Sequence, residues 1–176
     1  MLTLHTKITH ADSIAAQLVL PYELREKCRL RATLSTGEEV AVFTVRGTVL
    51  RDGDLLTGED KRVIQVVAAL EPTFLVRCAD AHTLLRCAFH LGNRHTQAHI
   101  GDGFLRIRHD VVLKEMLEGL GAVVTADDAA FEPESGAYGG GHGHHGEDGH
   151  GGGHGFGQPL APIPLRQKIH RPNDPT

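Results

Sequence analysis

Histidine is the residue type whose number and placement most directly indicate chemistry in this sequence. The chain has 176 residues, and 13 of them are histidines. Five histidines lie between residues 139 and 157, in the sequence GGGHGHHGEDGHGGGHGFG: His142, His144, His145, His150 and His154. Neutral imidazole is a good ligand for zinc, copper, iron and nickel, and several imidazoles on one glycine-rich segment can surround an ion in many arrangements. The segment therefore predicts metal binding of high capacity and low selectivity.

Two alternative interpretations of the same segment are a solubilising linker and an engineered affinity tag. The tag interpretation fits poorly, because glycines and acidic residues interrupt the histidines and 22 residues follow His154. A linker would account for the glycines but gives no reason for the histidines. Metal binding is the interpretation that we favour from composition.

The end of the chain has a composition that does not support a packed core. Eleven of the 21 glycines fall between residues 139 and 157, and six of the eight prolines lie at or beyond Pro133. Such a segment has almost no apolar surface to offset the entropy lost when glycine is ordered. We therefore expect residues 139–176 to form a flexible tail rich in His, Gly and Pro, and the folded part to end near residue 138.

Five further histidines fall within the second half of the predicted folded part: His82, His90, His95, His99 and His109. His95 follows a predicted helix end at Gly92, where a side chain can be held by backbone caps and point outward. His109 directly precedes Asp110, a predicted helix cap. Two histidines of one chain leave coordination positions unfilled, and a two-fold dimer would double them. The residues alone still favour an ordinary surface role for each histidine.

Residues 1–71 predict a small all-β domain, because short β-branched and apolar runs alternate there with turn signals such as Asp52-Gly53. The predicted strands are Leu2–Ile8, Cys28–Leu34, Glu39–Val45 and Arg62–Leu70. Four positive charges lie within the seven residues from Arg25 to Arg31. We interpret them as a solvent-exposed strand face.

Residues 72–138 predict the element order βαββαβ, which is that of a ferredoxin-like domain with two helices on one face of an antiparallel sheet. The helices are expected to begin at the caps Asp80 and Asp110 and to end at Gly92 and Gly121. The predicted strands are Thr73–Cys78, Gln97–Ile100, Phe104–Arg108 and Ala122–Thr125. The expected fold class is therefore α+β, an all-β domain followed by a ferredoxin-like domain and the tail.

Composition also argues against several classes of function. The net charge is −4 and aromatic residues make up only 5%, which gives neither the positive field nor the stacking surface that nucleic-acid binding uses. Apolar runs such as Val66–Leu70 are far shorter than the roughly 18 residues that span a bilayer. The first residues lack a basic region followed by an apolar stretch, so we expect no secretory signal and a cytoplasmic protein.

Neither the cysteines nor any catalytic sequence motif indicates a further functional site. The three cysteines Cys28, Cys78 and Cys87 cannot all pair within one chain and form no CxxC motif, so we expect small, half-buried thiols. The sequence contains no HExxH, GxSxG or GxxxxGK[ST] motif, and we therefore expect neither a zinc protease, a serine hydrolase nor a nucleotide-binding loop. The prediction is a protein that is not an enzyme.

Several short motifs, taken in order, resemble one known family. They are Arg46-Gly47, Gly92-Asn93-Arg94-His95, His109-Asp110, Phe131-Glu132-Pro133-Glu134 and Gly136-Ala137-Tyr138, followed by the histidine-rich segment. Together they resemble the UreE family of urease accessory proteins, the nickel metallochaperones, over nearly all of residues 1–157.

This resemblance implies roles for individual residues. His95 matches a family histidine that, with its copy from a second subunit, holds a metal ion at a dimer interface. His109 matches an auxiliary metal-binding histidine, although Val111 stands where some relatives carry a second one. The tail residues that match histidines feeding the central site are His142, His144 and His145, with His150, His154 and, less directly, His170 as further candidates.

The resemblance also implies a cargo and partners. The implied cargo is Ni(II), with Zn(II) or Cu(II) as further ions that the same histidines would bind. The implied assembly is a homodimer that passes nickel to a complex of an accessory GTPase and the urease apoprotein. The N-terminal domain resembles a peptide-binding or chaperone-like module. The alternative that remains open is a histidine-rich nickel or zinc buffering or storage protein, which would use the same tail without a transfer partner.

Metal loading is expected to weaken as the pH falls. Imidazole binds metal only when it is neutral, and its ordinary pKa is about 6.5. Protons therefore compete with nickel(II) below that pH. A calorimetric titration with nickel at pH 7.5 and at pH 5.5 checks this prediction, and an unchanged affinity at the lower pH would contradict it.

Overall fold

The computed structural model describes residues 1–135, and the predicted histidine-rich tail lies outside them. The first part of the described chain is built from strands and one short helix. In chain order these are β1 (Leu2–Leu4), β2 (Thr6–Ile8), β3 (Ala16–Leu20), α1 (Tyr22–Arg25), β4 (Arg29–Thr33), β5 (Glu39–Phe43), β6 (Leu55–Thr57) and β7 (Val63–Ala68).

These strands form two small sheets. One has the order β1-β5-β4, and the other has the order β2-β6-β7-β3. Strand β1 pairs in parallel with β5, and β3 pairs in parallel with β7, whereas the remaining pairs are antiparallel. Alternate apolar residues of both sheets meet in one core, which Leu34 and Leu50 join from the connecting segments: Leu2, Leu4, Leu18, Leu20, Val40, Val42, Leu56, Ile64 and Val66. The predicted all-β character of this part is confirmed.

The second part continues directly from the first. Its elements are β8 (Leu70–Arg77), α2 (Ala81–Asn93), β9 (His99–Gly101), β10 (Phe104–Arg108), α3 (Val111–Gly119) and β11 (Val123–Ala130). The four strands form an antiparallel sheet with the order β11-β8-β10-β9. The predicted order βαββαβ is confirmed, and a separate core of sheet and helix residues forms around Cys87, Leu91 and Leu117. No helix within residues 1–135 is long and apolar enough to cross a bilayer.

Several predicted element bounds were wrong. The run Leu2–Ile8 is two strands in different sheets, because the chain passes from one sheet to the other at the exposed His5. Three short elements, β3, α1 and β6, were not predicted. The predicted strand Arg62–Leu70 ends at Ala68, and β8 then begins at Leu70. Short elements of this kind carry too few residues for a period to show in the sequence.

The interpretation of Arg25 as an exposed cation was also wrong, because this side chain is completely buried. Its guanidinium donates from Nε to the carbonyl oxygen of Leu20 at 3.2 Å and from Nη1 to that of Leu50 at 3.1 Å. Nη2 donates to the carbonyl oxygen of Phe131 at 2.6 Å, and Nη1 forms an ion pair with Glu132. Arg25 therefore joins the all-β part to the segment that follows β11.

Arg51 holds the same segment from a second direction. Its Nη1 donates to Glu132 Oε2 at 2.9 Å and to the carbonyl oxygen of Pro133 at 3.0 Å. Its Nη2 donates to Ser135 Oγ at 2.7 Å, and the backbone N–H of Asp52 donates to Glu132 Oε1 at 3.2 Å. Residues 131–135 thus reach the all-β part through a carboxylate shared by two arginines. We call these contacts of Arg25 and Arg51 with residues 131–135 the arginine clamp.

Replacing Arg25 with methionine should destabilise the fold by about 3–5 kcal/mol, because three buried carbonyl oxygens would lose their donor and Glu132 would keep only Arg51 as its cation. Urea unfolding followed by circular dichroism measures the change. The matched control is Arg62→Met, which removes an arginine that pairs with Glu38 and Asp60 on the surface. Exposed pairs contribute little, so equal losses for the two variants would contradict the assigned role of Arg25.

Candidate metal centre

The backbone at the end of α2 fixes the position of His95. The N–H of His95 donates to the carbonyl oxygen of Gly92 at 2.9 Å, and the N–H of Thr96 donates to that of Leu91 at 3.1 Å. This pair of bonds is a Schellman motif, in which the residue at the position of His95 adopts left-handed backbone angles. His95 has φ = 53°. The predicted helix end at Gly92 was wrong, since α2 continues through Gly92 to Asn93.

Helix α3 ends in the same motif and provides an internal comparison. There Gly121 donates to the carbonyl oxygen of Glu118 at 3.0 Å, Ala122 donates to that of Leu117 at 3.1 Å, and Gly121 has φ = 99°. The predicted helix end at Gly121 is confirmed. Glycine is the usual residue at this position because any Cβ is disfavoured there by about 1 kcal/mol or more. A histidine at the equivalent position of α2 is therefore tolerated at a cost in stability, which points to a role other than folding.

His109 lies where β10 leads into α3. The side chain of the next residue, Asp110, accepts a hydrogen bond from the N–H of Leu113 at 3.0 Å and caps the helix as predicted. The N–H of His109 donates to the carbonyl oxygen of Pro72 at 3.3 Å. Its ring packs against the ring of Phe74 with 4.3 Å between centroids. The histidine is held on one side by these contacts and remains exposed on the other.

His95 and His109 line one open cavity of about 680 Å³. His95 reaches the cavity from the loop after α2, and His109 reaches it from the residue pair that precedes α3. Other residues of the lining are Glu26, Thr96, Gln97, Arg108, Asp110 and Leu113. The cavity thus contains two imidazoles, two carboxylates and one guanidinium. An exposed imidazole nitrogen can replace a water ligand of a hydrated transition-metal ion, and His95 and His109 each offer one such ring.

A network of polar side chains forms one wall of this cavity. The Gln97 amide donates from Nε2 to Glu26 Oε2 at 3.4 Å and to the Tyr22 hydroxyl at 3.5 Å. Its Oε1 accepts a hydrogen bond from Arg108 at 3.1 Å. Burial raises the pKa of the Tyr22 hydroxyl, and the nearby Glu26 carboxylate adds to this shift. These residues bring the all-β part into contact with the loop that carries His95.

A second, more apolar cavity of about 290 Å³ lies next to the same loop. Its lining includes Leu91, Glu134 and Ser135, and His95 lines both cavities, as do Thr96 and Gln97. The backbone N–H of Glu134 donates to the carbonyl oxygen of Ala98 at 2.9 Å. The last residues of the described chain therefore pass directly beside His95.

His99 contacts the segment of residues 131–135. Its Nδ1 faces the backbone N–H of Glu132 at 3.4 Å. Burial lowers the pKa of His99, and the charge of Arg106 lowers it further. Because a neutral ring can accept this hydrogen bond and a protonated ring cannot, the lowered pKa favours the form that holds the segment.

The sequence therefore predicted two of the cavity residues and missed the others. Sequence reasoning selected His95 and His109 as candidates, and both line one cavity in the fold. It also correctly placed His82 and His90 on α2. It did not predict Glu26, Gln97 or Arg108, because residues so far apart in sequence carry no common spacing signal. Predicted ligands that lie outside the described residues are His142, His144, His145, His150, His154 and His170. Within residues 1–135, no three His, Cys, Asp or Glu side chains are grouped so that they could hold one metal ion.

Comparison with known proteins gives a consistent result over the whole chain. Residues 2–69 match the family described as UreE urease accessory protein, N-terminal domain, and residues 71–156 match the corresponding C-terminal domain. The urease accessory protein UreE of Nitrosospira multiformis is 67% identical over 175 residues, which cover 99% of this chain and 98% of that protein. The protein of the same description from Janthinobacterium sp. (strain Marseille) is 68% identical over 174 residues, with the same coverage. That of Cupriavidus necator is 53% identical over 130 residues, 74% of this chain and 68% of that protein.

Replacing His95 with asparagine should leave the fold as stable as the parent or more stable by up to about 1 kcal/mol, because asparagine tolerates left-handed backbone angles better. Urea unfolding measures the difference. The control is His90→Asn, which lies within α2 and should show no gain, since asparagine is a weaker helix former. A large loss of stability for the His95 variant would show that its side chain supports the fold.

Proposed function

The chain belongs to the UreE family of urease accessory proteins, which supports a role in urease maturation, and we propose that it fills this role by carrying nickel(II). In this proposal the chain forms a homodimer, and two copies of His95 bind one Ni(II) ion. His109 is an auxiliary ligand. The carried ion passes to a complex of an accessory GTPase and the urease apoprotein in the cytoplasm. The protein itself catalyses no reaction.

The observation that carries this proposal is the exposed imidazole of His95 at a position where glycine is the usual residue. The Schellman motif fixes the backbone on both sides of the side chain, while the side chain itself is exposed to the cavity. A carrier needs a site that holds an ion and yet gives it up to the next protein. A few exposed imidazoles in an open cavity suit ligand exchange better than a closed cage of four ligands does.

The route of the chain supports a contribution from the tail histidines. Ser135 lines the cavity beside His95 and is held there by Arg51. Only six residues lie between Ser135 and His142, the first tail histidine, and the seven steps along the chain span at most roughly 25 Å. Tethering over such a length gives an effective concentration in the millimolar range. We therefore propose that His142, His144 and His145 assist His95, and that His150, His154 and His170 add weaker sites.

The identity of the ion rests on the family and not on the geometry of the site. Copper(II) binds nearly every nitrogen site more tightly than nickel(II) does, so ligand type alone does not select nickel. Zn(II) and Cu(II) are accordingly expected to compete for the same imidazoles. Nickel is proposed as the cargo because the relatives are named for a part in urease assembly.

Equilibrium dialysis with nickel tests the assignment of His95. His95→Ala should remove the one tight ion per dimer and leave weaker tail binding. Deletion of residues 139–157 should do the reverse, lowering capacity more than it lowers the affinity of the central site. His90→Ala is the matched control on the same helix and should bind as the parent does.

The same measurement separates the proposal from a storage function. A storage protein would lose most of its nickel on deletion of residues 139–157 and would be indifferent to His95→Ala. Retention of one tight ion per dimer by the His95 variant would show that another residue forms the central site. Transfer is measured separately, as activation of the urease apoprotein by the nickel-loaded dimer in the presence of the accessory GTPase.

A further inference from the structure

Two thiols lie together at the start of the second part, and the metal-carrying role makes no use of them. The Sγ atoms of Cys78 and Cys87 are 3.9 Å apart, within contact distance. Cys78 directly follows β8, and Cys87 lies in the middle of α2. Both residues belong to the core that forms between the sheet and the helices.

The fold places these cysteines together for a local reason. Asp80 caps α2 by accepting hydrogen bonds from the N–H and the hydroxyl of Thr83, both at 2.9 Å. This cap turns the chain back over the sheet immediately after β8. Cys87 then lies on the buried face of α2, two turns into the helix, and meets the residue at the end of the strand. The contact is therefore set by the strand, the cap and the helix together, and not by a flexible loop.

The two thiols differ in access to solvent. Cys87 is completely buried, whereas Cys78 is only half-buried. Burial raises the pKa of the Cys87 thiol to about 11, and the neighbouring Cys78 adds to the shift. Cys78 is therefore the thiol that a reagent meets first, and Cys87 is the thiol that can react next.

We propose that Cys78 and Cys87 form a reversible intramolecular disulfide when the protein meets a small disulfide oxidant of the glutathione type. In the first step the Cys78 thiolate attacks the oxidant, so that a mixed disulfide forms on Cys78 and one thiolate of the reagent leaves. In the second step the Cys87 sulfur attacks Cys78 Sγ, the bond from Cys78 to the reagent breaks, and the proton of Cys87 passes to the departing thiolate of the reagent, which leaves as a thiol. The two protein thiols lose two electrons, and the oxidant gains them as two thiols.

Closure of this bond requires only a small movement. The sulfur atoms must approach from 3.9 Å to the roughly 2.05 Å of a disulfide. The link would join the end of β8 to the helix whose last turn leads into His95. It would restrain α2 against the sheet, and we expect the midpoint of thermal unfolding to rise when the bond is closed.

The test uses the full-length protein and oxidised glutathione as the probe, with free thiols then blocked by iodoacetamide and the products weighed by mass spectrometry. The parent should lose two hydrogens across Cys78 and Cys87, while Cys28, which is half-buried like Cys78, should carry an alkyl or a glutathionyl group. Dithiothreitol followed by alkylation in urea, which exposes the buried Cys87, should restore three alkylatable thiols. Far-ultraviolet circular dichroism during the reaction verifies that the protein stays folded.

Single variants identify the order of the steps. Cys87→Ala should retain one glutathionyl group on Cys78, because the thiol that resolves the mixed disulfide is absent. Cys78→Ser should leave Cys87 unmodified, because that thiol is buried. Cys28→Ser is the control and should close the bond as the parent does. Cys87→Ala removes a buried sulfur, so a native unfolding transition is required before its result is used.

Three results would overturn the proposal. One is a parent protein that keeps glutathione on Cys78 without closing the bond. A second is a folded parent in which neither Cys78 nor Cys87 reacts. The third is closure that occurs only in urea, since this would show that the native contact does not support the reaction.

Discussion

The buried guanidinium of Arg25 is the interaction on which the arrangement of the whole described chain depends. A charge without water must have its donors satisfied and its charge balanced. Arg25 meets this condition only because Leu20 and Leu50 supply carbonyl oxygens from the all-β part, while Phe131 and Glu132 supply a carbonyl oxygen and a carboxylate from beyond β11. Leu20 is the last residue of β3, Leu50 lies between β5 and β6, and Phe131 and Glu132 follow the end of β11. The two parts are consequently held together by the need to balance this one buried charge. Glu26, next to Arg25 in the all-β part, and His95, in the second part, line the same cavity.

The metal-binding candidates are positioned by backbone geometry more than by side-chain contacts. At the end of α2 a Schellman motif fixes the direction in which His95 leaves the helix, and at the start of α3 the Asp110 cap does the same for His109. The imidazoles themselves stay exposed. Rigid support and exposed ligands are compatible because helix ends are held by main-chain hydrogen bonds, which leave the side chains free. The positive φ of His95 conflicts with the backbone preference of a residue that has a Cβ atom.

Sequence reasoning recovered the features that depend on local chemistry. The caps Asp80 and Asp110, the helix end at Gly121 and the order βαββαβ all follow from residue type and period, and the structure confirms them. Gly92 was misleading because a glycine can lie inside a helix as well as just beyond its end. In α2 the residue with left-handed backbone angles, which is usually glycine, is His95. Arg25 was misleading because burial of a charge depends on partners about 106 residues away. The wall of the cavity was missed for the same reason, since Glu26 and Gln97 have no relation in sequence. The resemblance to a family implied a metal-binding role for His95, which spacing alone left open.

The arginine clamp limits how freely the two halves of the chain could be recombined. A second half moved to another host would retain its sheet and its helices, but Glu132 and the Phe131 carbonyl would lose the cations that hold them. Without Arg51, Ser135 would no longer be held at a fixed position relative to His95. Evolution of this chain by exchange of modules is therefore constrained, because an incoming first half must bring its own pair of guanidiniums at the same two positions.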